Sequence, residues 1–235
     1  MSADFALGIT KSAIILACLL LLWDITRKWP YPNALVRPFL PPRLAYPEPQ
    51  IREWVESGNF EPSFLRFFNR DPERRPPPGD DFLAPADGKL REVTQHNGLT
   101  VFIVALSFWD VHVVRSPVSG VVRNVRHAGA GLFRAAQKTG PWLGAEDKAV
   151  PVQAVITIDT AHGPVDVRMI TSWWASRLKV AVGPGMEVRR GDRLGRILLG
   201  STTTFDLPGE HAPLLPVGSP VVAGETVIAR APQRL

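Results

Sequence analysis

The sequence predicts a mainly β protein of the α+β kind, carried behind an apolar N-terminal helix, and three observations lead there. The 235 residues include 23 prolines and 19 glycines, which interrupt the chain too often for long helices. From Phe82 onward, short runs rich in Val, Ile and Leu are separated by Gly and Pro turns, as in KLREVTQ, LTVFIVAL, GPVDVRMIT and RLGRILLGS. That spacing suits a β-sandwich or barrel. One uninterrupted apolar stretch, SAIILACLLLLW at residues 12–23, stands apart from the rest.

Composition narrows the classes. A chain of 25.8 kDa is long enough for one main domain and an appendage. Its 45% hydrophobic and 21% charged residues exclude both a disordered chain and a multi-span membrane protein. A net charge of +5 suits a surface that meets acidic headgroups or nucleic acid, or merely a basic soluble surface. No finger, recognition helix or RNP signature is present, so no nucleic-acid partner is expected. Cys18 is the only cysteine, which rules out an intramolecular disulfide and a thiolate metal cluster. His127, His162 and His211 lack ligand spacing, so no metal is expected.

The apolar run reads as a helix within residues 1–28. Its length fits a membrane segment, an interfacial helix, a signal-peptide core or a buried soluble helix. The residues that follow, Asp24 to Lys28, show no small-residue cleavage pattern, which favours a retained anchor. Arg27, Lys28 and Arg37 outweigh Lys11 and place the rest of the chain on the cytoplasmic side. Residues 29–80 read as a Pro-rich linker without regular helix over 29–49, followed by short amphipathic helices broken near Gly58 and Pro62. The aromatic residues Trp54, Phe60, Phe64, Phe67 and Phe68, interleaved with Arg52, Arg66 and Arg70, fit a membrane-surface face or packing on the main domain. RRPPPGDD closes this region as a stiff second linker.

Residues 81–235 then form the main β domain. Two stretches, SPVSGVVRNV and PGMEVRRGDRLGRIL, each place a strand after a Gly-containing turn. They resemble the half-motifs of a biotinyl/lipoyl-type barrel-sandwich. A carrier domain of that kind would need a lysine at the hairpin tip, and the turn at Gly183, Pro184 and Gly185 has none.

Three short clusters carry candidate chemistry. In APADGKL, Asp87 is either a turn carboxylate or a functional one. In LSFWDVHVVRSPVSGVV, His112 lies in a strand with Asp110 and Arg115, as a satisfied histidine or a catalyst. LLGSTTTFDLP places a Gly200-Ser201 step at a strand end, before a turn at Pro208. Such a step is commonly a turn, but a serine hydroxyl beside its own preceding carbonyl can also perform an N→O acyl shift when a base takes its proton. Glycine at the preceding position leaves that carbonyl unshielded.

PADG, DVHVVRSPVSGVV and LGST together resemble the signature blocks of phosphatidylserine decarboxylases, in the short bacterial and archaeal proenzyme branch, over most of residues 81–235. The resemblance implies that His112 is the base, oriented by Asp87, and that Ser201 attacks the Gly200 carbonyl. Cleavage would give a β chain of 1–200 and an α chain of 201–235, with a pyruvoyl group made from Ser201 as the covalent cofactor. It further implies a phospholipid substrate, phosphatidylserine or a related serine lipid, and a membrane partner, and it leaves room for a homo-oligomer. Arg115 then becomes a substrate-binding candidate for phosphate or carboxylate, the alternative being an ion pair with Asp110. Trp173 and Trp174 would line a lipid-facing entrance or pack internally. The sequence departs from the branch at Val114, where Asn is usual, and at Thr202, Thr203 and Thr204, where Arg-Val-Asp is usual. These departures keep a second reading in view, a catalytically degenerate relative acting as a lipid-binding or adaptor domain.

Overall fold

A computed structural model describes residues 3–128, 153–171, 177–198 and 201–232. The chain forms two compact units, Met1–Phe64 and Leu65–Leu235. The first is helical. Its α1 (Ala3–Lys28) contains Gly8–Thr26, with a mean hydropathy of 1.8 and none of that stretch buried. These 19 residues reach about 28 Å, close to the thickness of a bilayer's hydrocarbon core.

Helical order then extends further into the Pro-rich segment than expected. A 3-10 turn (Arg37–Phe39) and α2 (Pro42–Ala45) precede α3 (Glu48–Ser57) and α4 (Pro62–Phe68). The expectation of no regular helix over 29–49 is corrected here: Pro38, Pro42 and Pro49 fall in first turns, where a missing N–H costs nothing. Gly58 ends α3 in the left-handed conformation with φ of 73°. Arg37 is buried, paired with Glu61 and donating to the Pro32 carbonyl at 2.9 Å. It is therefore an internal cation, not one of the surface charges that orient a membrane segment. Phe64 is fully buried, with its ring 5.4 Å from Tyr46 and 5.2 Å from Trp54. For these aromatic residues, internal packing is what the fold shows.

The second unit is built of strands. In chain order they are β1 (Phe82–Leu83), β2 (Gly88–His96), β3 (Leu99–Leu106), β4 (Val113–Arg115), β5 (Gly120–Ala128), β6 (Gln153–Thr160) and β7 (Gly163–Thr171). There follow β8 (Arg177–Val180), β9 (Glu187–Val188), β10 (Arg193–Leu198), β11 (Ser201–Pro208), β12 (Pro220–Val221) and β13 (Val227–Ala229). A curled eight-stranded sheet has the order β12-β2-β3-β11-β7-β6-β5-β9, and a three-stranded sheet has the order β4-β10-β8. One apolar core joins them, with Val104, Val114, Ile156, Met169, Leu194, Ile197 and Phe205 all fully buried.

The two look-alike segments pair with each other. β5 of the first lies antiparallel to β9 of the second, and β4, just before the first segment, lies antiparallel to β10, so neither segment completes its sheet alone. β11 was not expected as a strand, because Thr202 to Thr204 read as the approach to a turn. It is central in the large sheet, paired with β3 from Ser201 to Pro208 and with β7 on its other side. β-branched threonines suit a strand as well as valines do, and a reading led by apolar runs passes over them.

Residues 69–80, taken above as a linker, are a strap tied to the β unit. Asp71 pairs with Arg115 at 2.7 Å and Arg193 at 2.5 Å, the Arg75 N–H donates to Glu225 at 2.8 Å, and Arg190 donates to the Pro77 carbonyl at 3.0 Å. The strap is polar because its partners are charged side chains and main-chain groups of the β unit.

Two glycines separate a packing requirement from open space. A Cβ on Gly120 would stand 2.2 Å from the Asp159 carbonyl oxygen, whereas one on Gly183 would meet nothing within 4 Å. Gly120→Ala should lower stability by about 2–3 kcal/mol and Gly183→Ala by less than about 0.5 kcal/mol, measured by thermal unfolding. Equal effects would contradict the close approach of β5 to β6.

Candidate active site

The turn after β3 fixes His112. Asp110 accepts from the Ser107 N–H and hydroxyl, both at 2.6 Å, and donates its own N–H to the Ser107 carbonyl at 3.1 Å. This closed loop turns the chain inward just before β4, and His112 enters the interior with no exposed surface. Its Nδ1 lies 2.9 Å from the Asp110 carbonyl oxygen. A carbonyl only accepts, so Nδ1 carries the hydrogen and Nε2 keeps its lone pair. Nε2 is buried and has no hydrogen-bond partner among the described residues. The Phe68 ring packs 4.2 Å from the imidazole, tilted by 38°.

Burial pushes the pKa of His112 down to about 4, although the bond to the Asp110 carbonyl and the Asp110 carboxylate act to raise it. Arg70 and Arg196 add their positive fields and lower it further. The imidazole is therefore neutral at pH 7, with a basic nitrogen that no group among the described residues uses.

Backbone pairing limits how far the main chain of His112 lies from the start of β11. The Ile197 N–H donates to the His112 carbonyl at 3.0 Å, and four further residues span at most about 14 Å. Ser201 in turn stands opposite Leu106, the last residue of β3 before the His112 turn, and opposite Thr171 of β7. Neighbouring strands lie only about 5 Å apart. Gly200, like Trp173 and Trp174, lies outside the described residues.

Asp87 is placed by a backbone constraint: Gly88 has φ of 144°, and a Cβ there would come within 2.2 Å of the Ala105 carbonyl oxygen. The Asp87 carboxylate accepts from Arg74 at 2.7 and 3.0 Å and from the Ala223 N–H at 2.8 Å. The group on His112 Nδ1 is thus the Asp110 main chain, while Asp87 is turned to Arg74. The two regions remain electrostatically linked. Burial lowers the pKa of the Arg70 guanidinium, opposed by the fields of both Asp87 and Asp110.

Arg115 is buried, and its guanidinium donates to Asp71 at 2.7 Å, to the Pro72 carbonyl at 3.0 Å and to the Gly191 carbonyl at 2.9 Å. Asp71 therefore takes the place of Asp110 as its ionic partner, because Asp110 is used up in its own turn. Sequence reasoning missed Arg70, Arg74 and Phe68 as parts of this region. The available signal was the alternating charge of NRDPERR, which suits an extended, ion-paired strap as well as a solvated linker.

The sequence profile of the phosphatidylserine decarboxylase family matches residues 60–229, which include the His112 turn, the strap from Arg70 onward and β11. A phosphatidylserine decarboxylase proenzyme of Chlorobaculum tepidum is 34% identical over 71% of this chain and 77% of its own length. One from Thermobifida fusca is 35% identical, over 71% and 73% respectively. A protein of Methanothermobacter thermautotrophicus, provisionally named archaetidylserine decarboxylase proenzyme, is 35% identical over 72% of this chain and 81% of its own. With most of its β unit matched in this way, the chain belongs to the phosphatidylserine decarboxylase family of carboxy-lyases.

Proposed function

We propose that this decarboxylase is made as a proenzyme that cuts itself between Gly200 and Ser201 and then converts phosphatidylserine, or a related serine phospholipid, to its ethanolamine form. The observation that supports the reading is the buried neutral His112, whose Nε2 has no hydrogen-bond partner among the described residues and whose main chain is hydrogen-bonded to the strand that precedes Ser201. Nε2 takes the Ser201 hydroxyl proton as the oxygen attacks the Gly200 carbonyl carbon. The Gly200–Ser201 C–N bond then breaks, the nitrogen gains the proton, and an ester replaces the amide. Loss of the Cα proton of residue 201 expels the Gly200 carboxylate and leaves a dehydroalanyl end. Water then releases ammonia and leaves a pyruvoyl group on a chain of 201–235.

The residues present fit such a group. Two buried polar atoms without partners, His112 Nε2 and Thr203 Oγ1, belong to the turn facing the start of β11 and to β11 itself. A pyruvoyl carbonyl supplies an electron sink for the charge left on Cα when carbon dioxide departs. His112 is the group suited to returning a proton to that carbon. Asp87 serves by holding Arg74 in the field of Arg70. The guanidinium of Arg115 is already occupied by Asp71, so an anionic headgroup falls more naturally to Arg70 and Arg196, whose fields reach His112. We further propose that α1 anchors the enzyme in the cell membrane with the β unit on the cytoplasmic side, since its Gly8–Thr26 stretch is apolar and none of it is buried.

The test is intact mass. Purified protein should appear as chains of 1–200 and 201–235, the smaller ending in pyruvoyl, and Ser201→Ala should remain whole. His112→Ala should slow cleavage by about 100-fold or more. A wild-type chain that stays whole would overturn the reading.

Cleavage should also follow the protonation of His112. Its neutral form is the base, and acid removes that form only as pH falls through about 4. The rate measured by stopped time points should therefore be flat from about pH 5.5 to 8 and half-maximal near pH 4. A half-maximum near 6.5 would show an ordinary, solvated histidine.

Removal of residues 1–28 should move the protein from the alkaline-washed membrane pellet to the supernatant and leave cleavage intact. Retention in the pellet would place the anchor elsewhere.

A further inference from the structure

Thr203 is fully buried on β11, in register with Val104 of β3 and Met169 of β7, which are themselves fully buried core residues. Its Oγ1 has no hydrogen-bond partner among the described residues. The adjacent Thr204, on the opposite face, is satisfied, its hydroxyl bonded to Asp206 at 2.8 Å. A buried hydroxyl without an acceptor is costly, and valine would fill the same space without that cost. The backbone offers no relief, because β11 is paired on both sides at this position.

Strand geometry supplies a reason for the hydroxyl. With a period of two residues, positions 201 and 203 share one face, roughly 7 Å apart along the strand. That spacing is about the length of one small polar group. A headgroup attached at residue 201 through its amine carries its α-carboxylate a few bonds away, within reach of Thr203. The carboxylate can only accept, and Thr203 Oγ1 has a hydrogen with nowhere else to go.

Resting on the self-processing reading above, we infer that Thr203 donates a hydrogen bond to the α-carboxylate of the amino-acid headgroup bound at residue 201, and so sets its orientation. The surroundings suit a carboxylate that must leave as carbon dioxide. Val104 and Met169 offer it no further donor, so one bond orients the group and the apolar walls withhold the solvation that would stabilise it in place.

The experiment compares Thr203→Val and Thr203→Ser with wild type in full-length protein, using phosphatidylserine in mixed micelles. All three should be fully cleaved by intact mass. Thr203→Val should raise the melting temperature of the protein by about 2–4 °C by removing the unpaired hydroxyl. It should also raise KM about tenfold or more, with a smaller change in kcat. Thr203→Ser should restore KM to within about threefold. A more stable Thr203→Val with unchanged KM would overturn the inference, since the hydroxyl would then be only a packing defect. Failure of Thr203→Val to cleave would overturn it too, by assigning the hydroxyl to processing. Failure of the wild type to cleave sinks the preceding reading instead, and is told apart by the same mass spectrum.

Discussion

The antiparallel seam between β4 and β10 decides where the chemistry sits. β4 immediately precedes one of two similar segments and β10 lies in the other, so the seam forms only when distant parts of the chain meet. Its last hydrogen bond, from the Ile197 N–H to the His112 carbonyl, fixes the histidine beside the segment that leads into β11. The β3–β11 pairing works from the other side, setting Leu106 opposite Ser201. The main chains at His112 and Ser201 thus owe their positions to backbone bonds, which side-chain substitutions leave in place.

Burying the imidazole creates a base of a particular kind. Desolvation alone would leave the tautomer undecided, but the Asp110 carbonyl selects hydrogen on Nδ1. Asp110 is itself immobilised by Ser107, so its carboxylate is not available to the ring. The outcome is a neutral nitrogen, weaker than a free histidine but present almost wholly in its basic form at pH 7. Arg70 and Arg196 oppose protonation of the ring, against the Asp110 carboxylate that favours it, and their charge favours the negative charge that develops on an attacked carbonyl oxygen. The strap that brings Arg70 and Arg74 is held by ion pairs to Arg115, Arg193 and Asp87.

Much of this was legible in sequence. The alternation in GPVDVRMIT and the unbroken apolar LTVFIVAL gave β7 and β3, the repeated strand-after-turn pattern gave the paired half-motifs, and Gly58 and Pro62 bounded the helices. What escaped reading depended on contacts distant along the chain. β11 is polar by composition and is recognisable as a central strand only through its two partners. The strap reads as linker because several of its partners lie far along the chain, as with Asp71 and Arg193, 122 positions apart. Arg115 reads as a substrate contact or a partner of Asp110 because its actual partner, Asp71, lies 44 positions before it. The histidine's orienting group could not be read either, since a main-chain carbonyl leaves no residue-type signal.

The account stands on a buried neutral His112 with a bare Nε2, and that state is observable. In full-length Ser201→Ala protein in detergent micelles, nitrogen-15 chemical shifts of the imidazole report both tautomer and charge. The prediction is an Nδ1–H tautomer that persists on acidification until about pH 4. An Nε2–H tautomer, or protonation of the ring near pH 6.5, would contradict it.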